Sequence, residues 1–391
     1  MHHKWIREKF TENMFEFPIL LSDMPNQLQH LIYDCNILDG YSASIYKIPS
    51  ISDKFIIDTW SESIDIYEYE KIYNHVEKLG ITKDNSIIVT MSNHILENRY
   101  DNVVIFNSSF YIAVTDFYYG NDFTYFPYSD QDLENLKLNT KSHKFLHFTG
   151  TAKTYRLYVL DYLNRMKYLN QGLYSFLNYE SMDWLRTAWT SPRSSAGKER
   201  KRYYELYDFD EEFFSKEHAL DYLMRKDGGK VPNPNFYLFK ETLEYKGGFQ
   251  TTVQMDFIKN TYFNILNETV FDSNDGTSFM KNGAVTGKAI KGICHQPSLI
   301  LSYPKTLTEI REFGFKTFPE MFDESYDYIL NDEDRFFKIL SIIDELMKLK
   351  DSDLHELYVK SLDNVVYNQY VIMETNPISL INNFFEKISK K

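Results

Sequence analysis

Two stretches of the sequence group residue types that can bind a phosphorylated ligand. In the first, Thr149 and Gly150 end a predicted strand, and Lys153 and Arg156 follow at the start of a predicted helix. Ligands of open α/β sheets bind at the carboxyl ends of strands, and a helix start with fixed positive charge attracts anions. This stretch predicts an anion site; the alternative interpretation is a surface turn with a solvated arginine.

The second stretch begins with a predicted strand over residues 262–266, whose end presents Asn267 and Glu268. About twenty residues later come Thr286 and Lys288, at the predicted start of a helix. A carboxylate at a strand end and a lysine on a nearby helix can together hold a ribose and a diphosphate. A nucleotide-binding site is therefore one interpretation of these four residues among several.

The standard catalytic and metal motifs do not account for these residues. "GAVTGKA" (283–289) is not a phosphate loop, because its glycines are one residue too close and alanine follows the lysine. There is no G-x-S-x-G, H-E-x-x-H or C-x-x-C. Of the D-x-D triplets, Asp351–Asp353 is typical of a helix start, whereas Asp208–Asp210 remains a candidate metal pair among many acidic residues.

The elements that position these residues follow an α/β rhythm. Between apolar runs lies a helical pattern over 67–80, with Ile72, Val76 and Leu79 on one face and Gly80 as its stop. Strands separated by helices favour parallel pairing and an α/β layer. Three runs in the first part of the chain predict buried strands: 54–58, 85–91 and 102–109.

The same rhythm returns later in the chain. Residues 144–166 predict a strand, a short turn and an amphipathic helix with an apolar stripe of Leu157, Leu160 and Leu163. Residues 298–303 predict a strand, and Thr306 with Glu309 predicts a capping box for the next helix, which Gly314 would end. Further helices are predicted at about 331–349 and 353–361.

The bulk properties favour a two-domain intracellular protein. A chain of 391 residues exceeds a typical single core, and its hydrophobic content of 43% excludes a mainly disordered chain. A net charge of −13 argues against nucleic-acid binding as the main role. Two distant cysteines, with no signal peptide and no run of about 18 apolar residues, predict a soluble cytoplasmic protein with no membrane span.

A polar connector near residue 120 suggests where the first domain ends. We predict an N-terminal domain over 1–140 and a C-terminal domain over 141–375, the latter with a loop-rich insertion at about 187–250. Residues 376–391 form a separate last segment.

Residues 267–327, ending in "FGFKTFPEMFDESYD", resemble the donor-binding half of fucosyltransferase-like glycosyltransferases, which include viral and bacterial members. In that pattern an acidic residue after a strand corresponds to Glu268, and the T-E-K before the helix corresponds to Thr286, Gly287 and Lys288. The resemblance covers roughly 144–170 and 260–340 and is weak elsewhere. Its clear departure is Gly287, because the family has a glutamate there that helps hold the ribose.

The resemblance implies a GT-B architecture, in which two Rossmann-like domains face each other across a cleft. The acceptor would bind on the N-terminal domain and the nucleotide sugar on the C-terminal domain, and residues 376–391 would form a final helix that crosses back to the first domain. It implies transfer of a sugar from a nucleotide-diphosphate donor to a hydroxyl of a glycan or similar acceptor, inverting and without a metal. GDP-sugars are the favoured donors, UDP-sugars are a further possibility, and no tightly bound cofactor is expected. Lys288, Arg156 and Lys153 would stabilise the charge on the departing diphosphate.

The resemblance also implies a base on the acceptor side to remove the hydroxyl proton. Asp58 and Asp116 follow apolar runs in the first domain and are the candidates, although an Asp there is also common in turns.

Two alternatives remain open. One is a glycosyltransferase of the same fold that modifies nucleic acid, with the basic loop 197–202 touching phosphates. The other is a catalytically silent nucleotide- or glycan-binding protein that kept the fold but lost the glutamate at position 287.

Overall fold

A computed structural model gives the fold of the chain as α/β, with two sheets and helices packed against them. The residues that the structure describes are 30–38, 41–47, 54–59, 66–90, 99–106, 128–149, 154–176, 255–268, 271 and 285–391. The α/β prediction is confirmed at this level.

The first sheet has five strands: β1 His30–Leu38, β2 Tyr41–Lys47, β3 Phe55–Thr59, β4 Ser86–Thr90 and β5 Val103–Ile105. They lie side by side in chain order and combine a hairpin with a parallel layer. The antiparallel strands β1 and β2 pair with each other, and β2 also pairs antiparallel with β3. The strands β3, β4 and β5 are parallel.

The connection between β3 and β4 is the predicted helix, α1 (Ile66–Val76), which tightens into a 3-10 turn over Glu77–Leu79. Ile72 and Val76 are buried against the sheet as expected. Gly80 ends the turn with a φ of 74°, a conformation that favours glycine. Leu79 was wrongly predicted to be buried: it is 46% exposed, because the tighter winding of the last turn rotates it off the apolar face.

The second sheet is fully parallel and has the order β7-β6-β8-β9. Counted along the chain, the strands of this sheet lie in the order second, first, third, fourth. The chain adds β7 on one side of β6 and then adds β8 and β9 on the other side, so the strand order reverses between β6 and β8. Its strands are β6 His143–Thr149, β7 Gly172–Phe176, β8 Thr261–Asn267 and β9 Ser298–Leu301.

Helices cover the second sheet and share one continuous hydrophobic core with it. Leu160 and Leu163 on α3 are fully buried, as their spacing predicts. The helices are α2 Asp130–Leu138, α3 Thr154–Arg165, α4 Met255–Lys259, α5 Gly287–Ile293, α6 Thr306–Glu312, α7 Asp332–Lys348 and α8 Asp351–Glu374.

The predicted capping box of α6 is wrong. Lys305 occupies the cap position with a φ of 68°, and its side chain makes no capping hydrogen bond. Instead, the Asp327 carboxylate accepts hydrogen bonds from the backbone N–H groups of Leu307 (2.9 Å) and Thr308 (3.1 Å). A residue about twenty positions downstream therefore caps this helix, whereas its predicted end is confirmed by Gly314, with a φ of 87°.

The last helix, α9 (Pro377–Lys390), packs against the first sheet. Phe384 and Ile388 are buried with apolar side chains of β3, β4 and β5. The Lys54 ammonium donates a hydrogen bond to the Lys391 carbonyl at 2.7 Å. The division of the chain into the domains given above stays a prediction.

Candidate functional site

The candidate site lies where the second sheet reverses its order. Strands β6 and β8 are neighbours and parallel, so their carboxyl ends, Thr149 and Asn267, lie at the same edge of the sheet. In open α/β sheets the crevice at such a reversal is the usual ligand position. Glu268 directly follows β8, and its fully buried side chain lies at the start of α5.

Glu268 holds the start of α5 through its carboxylate. One oxygen, Oε1, accepts hydrogen bonds from the backbone N–H of Thr286 at 3.0 Å and of Ala289 at 3.3 Å. The other, Oε2, accepts from the Thr286 hydroxyl at 2.6 Å. The first amides of a helix otherwise lack partners and attract anions. Here the protein supplies that anion itself.

Arg156 reaches from α3 to the same point. Its Nη2 donates to the Glu268 carbonyl oxygen at 2.6 Å, and its Nε donates to the Tyr155 hydroxyl at 3.0 Å. The Tyr155 hydroxyl also donates to the Glu268 carbonyl. Only 5% of Arg156 is exposed, so this guanidinium is a fixed positive charge beneath the crevice.

Lys288 supplies a second positive charge at the crevice. Its ammonium lies 3.8 Å from Glu268 Oε2, and 41% of the side chain remains exposed. Partial burial lowers the pKa of Lys288, and the nearby Arg156 charge acts in the same direction, while Glu268 opposes both. The two cations thus converge on Glu268, Arg156 at its backbone carbonyl and Lys288 at its carboxylate, and Lys288 is the one that faces solvent.

Two glycines of α5 have opposite surroundings. At Gly292 an added Cβ would lie 2.5 Å from Leu266 Cδ1, so a larger residue there requires the Leu266 side chain to move. At Gly287, in contrast, a Cβ would meet nothing within 4 Å. The space beside position 287, where the pattern of fucosyltransferase-like glycosyltransferases has a glutamate, can therefore accept a side chain.

The far end of α5 is fixed by two buried amides on α8. Asn368 Nδ2 donates to the Ile293 carbonyl at 3.1 Å, and Gln369 Nε2 donates to the Cys294 carbonyl at 2.8 Å. Both amide residues are fully buried. They satisfy carbonyls at the helix end and hold α5, with Lys288, in place.

A buried neutral histidine lies beside the site on β6. His147 Nδ1 lies 2.9 Å from the Ile265 carbonyl oxygen. Because a carbonyl oxygen can only accept, Nδ1 carries the hydrogen and donates it. Complete burial lowers the pKa of His147 to about 4, and Arg156 contributes in the same direction. His147 is therefore neutral at physiological pH.

The structure brings together part of the predicted set. Arg156, Glu268, Thr286 and Lys288 meet in one cluster, and Asn267 is buried at the adjoining strand end. Thr149 ends β6 at the same edge. Several predicted features lie outside the described residues: Gly150, Lys153, Asp116, the Asp208–Asp210 pair and the basic loop 197–202.

Asp58 lies elsewhere, near the end of β3 in the first sheet. Only 3% of this residue is exposed. Side chains of a strand point alternately to its two faces, so Asp58 lies on the same face of β3 as Ile56 and on the opposite face from Ile57. Ile56 packs in the apolar cluster that includes Phe384 and Ile388 of α9. The predicted role of Asp58 as a base stays a prediction.

Sequence reasoning missed Tyr155, Asn368 and Gln369. Tyr155 stands next to Arg156, but a tyrosine at the start of an amphipathic helix is first interpreted as core. The two amides occur on α8, about 80 residues after α5. Consecutive Asn and Gln inside a long helix are a weak signal for buried partners, and the sequence gives no indication of which carbonyls they bind.

Replacing Glu268 by glutamine is expected to lower the free energy of unfolding by about 1–3 kcal/mol. The amide keeps one acceptor oxygen but places an NH₂ group where the Thr286 hydroxyl now donates, and it removes the charge facing Lys288. Urea unfolding of the variant and of wild type tests this. The exposed Glu374→Gln change is the control and should alter stability by less than about 0.5 kcal/mol.

Comparison with known proteins adds no relative: no family model, no curated protein and no solved structure matches this chain. Within the described residues, no group of three His, Cys, Asp or Glu side chains is arranged to hold a metal ion. Among the helices in the same part of the chain, none has both the length and the apolar character needed to cross a bilayer.

Proposed function

We propose that the chain is a glycosyltransferase of GT-B type that binds a nucleotide-diphosphate sugar at the crevice between β6 and β8. The observation that carries this proposal is the convergence of Arg156 and Lys288 on the strand-order reversal of the second sheet. The resemblance of residues 267–327 to fucosyltransferase-like enzymes, described above, supports the same assignment.

In the proposed reaction an acceptor hydroxyl displaces the nucleoside diphosphate at the anomeric carbon. The bond from that carbon to the diphosphate oxygen breaks, and the departing diphosphate takes the electron pair. Lys288, which faces solvent, is the direct diphosphate contact, and the buried Arg156 adds a fixed field beneath it. A base on the acceptor side, for which Asp58 and Asp116 are the candidates, takes the hydroxyl proton. GDP-sugars are the favoured donors.

A second candidate is a nucleotide-binding protein without turnover. The engagement of Glu268 favours it, because its carboxylate already accepts three hydrogen bonds from the start of α5. The resembling family has a further carboxylate at the next position of the motif, where this chain has Gly287. Ribose recognition in this chain therefore depends on other groups, and the two candidates differ in whether the bound donor is consumed.

The first test is thermal unfolding with GDP, UDP, CDP and ADP and with the matching nucleotide sugars. One nucleotide, at about 100 times its dissociation constant, is expected to stabilise the wild type by about 2.7 kcal/mol, a rise in Tm of roughly 3 °C. Lys288→Ala should lose most of this rise. Lys350→Ala, at an exposed lysine on the cap of α8, is the matched control and should keep it.

A wild type that none of these nucleotides stabilises contradicts both candidates. If a nucleotide does bind, hydrolysis or transfer of its sugar separates them: release of free sugar supports the transferase, and unchanged donor after prolonged incubation supports the silent binding protein. Gly287→Glu refines the result, because its side chain enters open space. We expect this variant to strengthen binding of the nucleotide but not of inorganic pyrophosphate, which has no ribose.

A further inference from the structure

A second chemically distinct cluster surrounds Lys141, just before β6 at the amino end of the second sheet, opposite the candidate nucleotide crevice. Only 8% of Lys141 is exposed. Its ammonium lies 4.7 Å from the centre of the Tyr358 ring on α8, and its backbone N–H donates to the Tyr262 hydroxyl on β8 at 3.1 Å. A lysine is rarely buried to this extent without a paired charge.

The surroundings of Lys141 are aromatic and cationic. The rings of Tyr262 and Tyr358 meet edge to face at 5.8 Å, and His355 on α8 packs against both. Lys259, at the end of α4, is the neighbouring charge, and it lies 3.9 Å from Asp132 on α2. Within the described residues no carboxylate forms an ion pair with Lys141 itself.

We propose that Lys141 is a nucleophilic amine and a site of Nε-acylation by small anionic acyl donors such as acyl phosphates. A neutral amide avoids the cost of burying a charge here, because no carboxylate in the described part of the chain forms an ion pair with the Lys141 ammonium. The positive charge of Lys259 attracts an anionic donor. The proposal is independent of the nucleotide site and of its function.

In the acylation step, the lone pair of the neutral Lys141 Nζ attacks the carbonyl carbon of the acyl phosphate. The bond from that carbon to the phosphate oxygen then breaks, and phosphate leaves with the electron pair. Nζ loses one proton to water, and the product is a neutral amide.

The state of the amine supports this chemistry. Burial lowers the pKa of Lys141 to about 8, and the Lys259 charge adds to this effect. At pH 7.4 a group with that pKa is roughly 20% unprotonated, against about 0.1% for an ordinary lysine. Lower basicity and limited access reduce this advantage, so we expect acylation about tenfold faster than at exposed lysines.

The test is acylation of the full chain by acetyl phosphate at pH 7.4, with initial rates measured by mass spectrometry at each lysine. The exposed Lys350 and Lys387 are the internal references. Lys141 should react about tenfold faster than both, and this advantage should shrink as the pH rises toward 10. Lys259→Met should reduce the Lys141 rate several-fold while leaving the references unchanged.

Two results would overturn the proposal. One is a Lys141 rate at or below that of Lys350 and Lys387 in the folded protein. The other is modification of Lys141 only in concentrated urea, which would mean that the folded chain protects the amine. A melting curve of the Lys259→Met variant that matches wild type shows that a lower Lys141 rate reflects the lost charge and not unfolding.

Discussion

Replacing Arg335 by leucine is expected to lower the free energy of unfolding by about 3–5 kcal/mol. Arg335 lies in the first turn of α7 and is fully buried. Its guanidinium donates to the carbonyls of Ser302 (3.1 Å) and Phe271 (2.6 Å). It also donates to the Ile329 carbonyl at 3.0 Å and to Asp332 Oδ1 at 2.8 Å.

The size of the effect follows from what leucine leaves behind. Three backbone carbonyls lose a charged donor, and the carboxylate of Asp332, which is 1% exposed, loses its neighbouring cation. The stacking of the guanidinium on the Phe271 ring, 4.5 Å from its centre, is lost as well. Each buried polar group without a partner costs about 1–3 kcal/mol.

Urea unfolding of wild type and variant measures this change. The control is Arg99→Leu at an exposed arginine, which should shift stability by less than about 0.5 kcal/mol. The double variant Arg335→Leu/Asp332→Asn removes the buried charge and should recover part of the loss. A single variant that unfolds within about 1 kcal/mol of wild type would show that Arg335 does not join these segments in solution.

The second large effect is expected from acidification. His147 and His295 are both buried, and burial lowers the pKa of each to about 4. In the unfolded chain a histidine has a pKa of about 6.5. Between these values the unfolded state binds protons that the folded state excludes, so the stability that is complete above pH 6.5 is lost as the pH falls toward 4.

Acidification from pH 7.5 to 5.0 should lower the free energy of unfolding by about 2 kcal/mol for each histidine. The reason is that pH 5.0 lies about 1.5 units below the unfolded pKa, and each unit corresponds to about 1.4 kcal/mol. The two together should therefore remove about 4 kcal/mol from the free energy of unfolding. Chemical denaturation at the two pH values, compared with the variant His147→Asn/His295→Asn, measures their share. Asparagine does not titrate and keeps an N–H donor for the carbonyls of Ile265 and Lys291.

The double variant should show a pH dependence that is smaller by about 4 kcal/mol over this range. His75→Asn, the same change at an exposed histidine, is the matched control for the substitution itself. An equal loss of stability on acidification in wild type and in the double variant would mean that other groups account for acid sensitivity.

Local sequence pattern predicted the buried elements well and the contacts between them poorly. The apolar runs at 54–58 and 85–91 correspond to β3 and β4, and the Gly80 and Gly314 stops are confirmed by their positive φ angles. Such features depend on a few neighbouring residues. The hairpin of β1 and β2 was missed, because neither strand carries a long apolar run.

The candidate site shows the same division. Its residue types at Arg156, Glu268 and Lys288 could be selected from their positions at predicted strand ends and helix starts. That Glu268 would use its carboxylate to cap α5 was not predictable, since it depends on the folded chain bringing the start of α5 to the end of β8. The replacement of the predicted capping box of α6 by Asp327 has the same cause, a partner that only the folded chain provides.

The packing of α9 on the first sheet has a consequence for protein synthesis. The hydrogen bond between Lys54 and Lys391 joins residues 337 positions apart, and Phe384 and Ile388 cover side chains of β3, β4 and β5. The ribosome makes the side chains that bury one face of these strands roughly 280 residues or more after the strands themselves. Because a chain grows at about 5–20 residues per second, that apolar face stays without its helix for tens of seconds. The nascent first sheet is thus a segment of the chain that we expect chaperones to protect during translation.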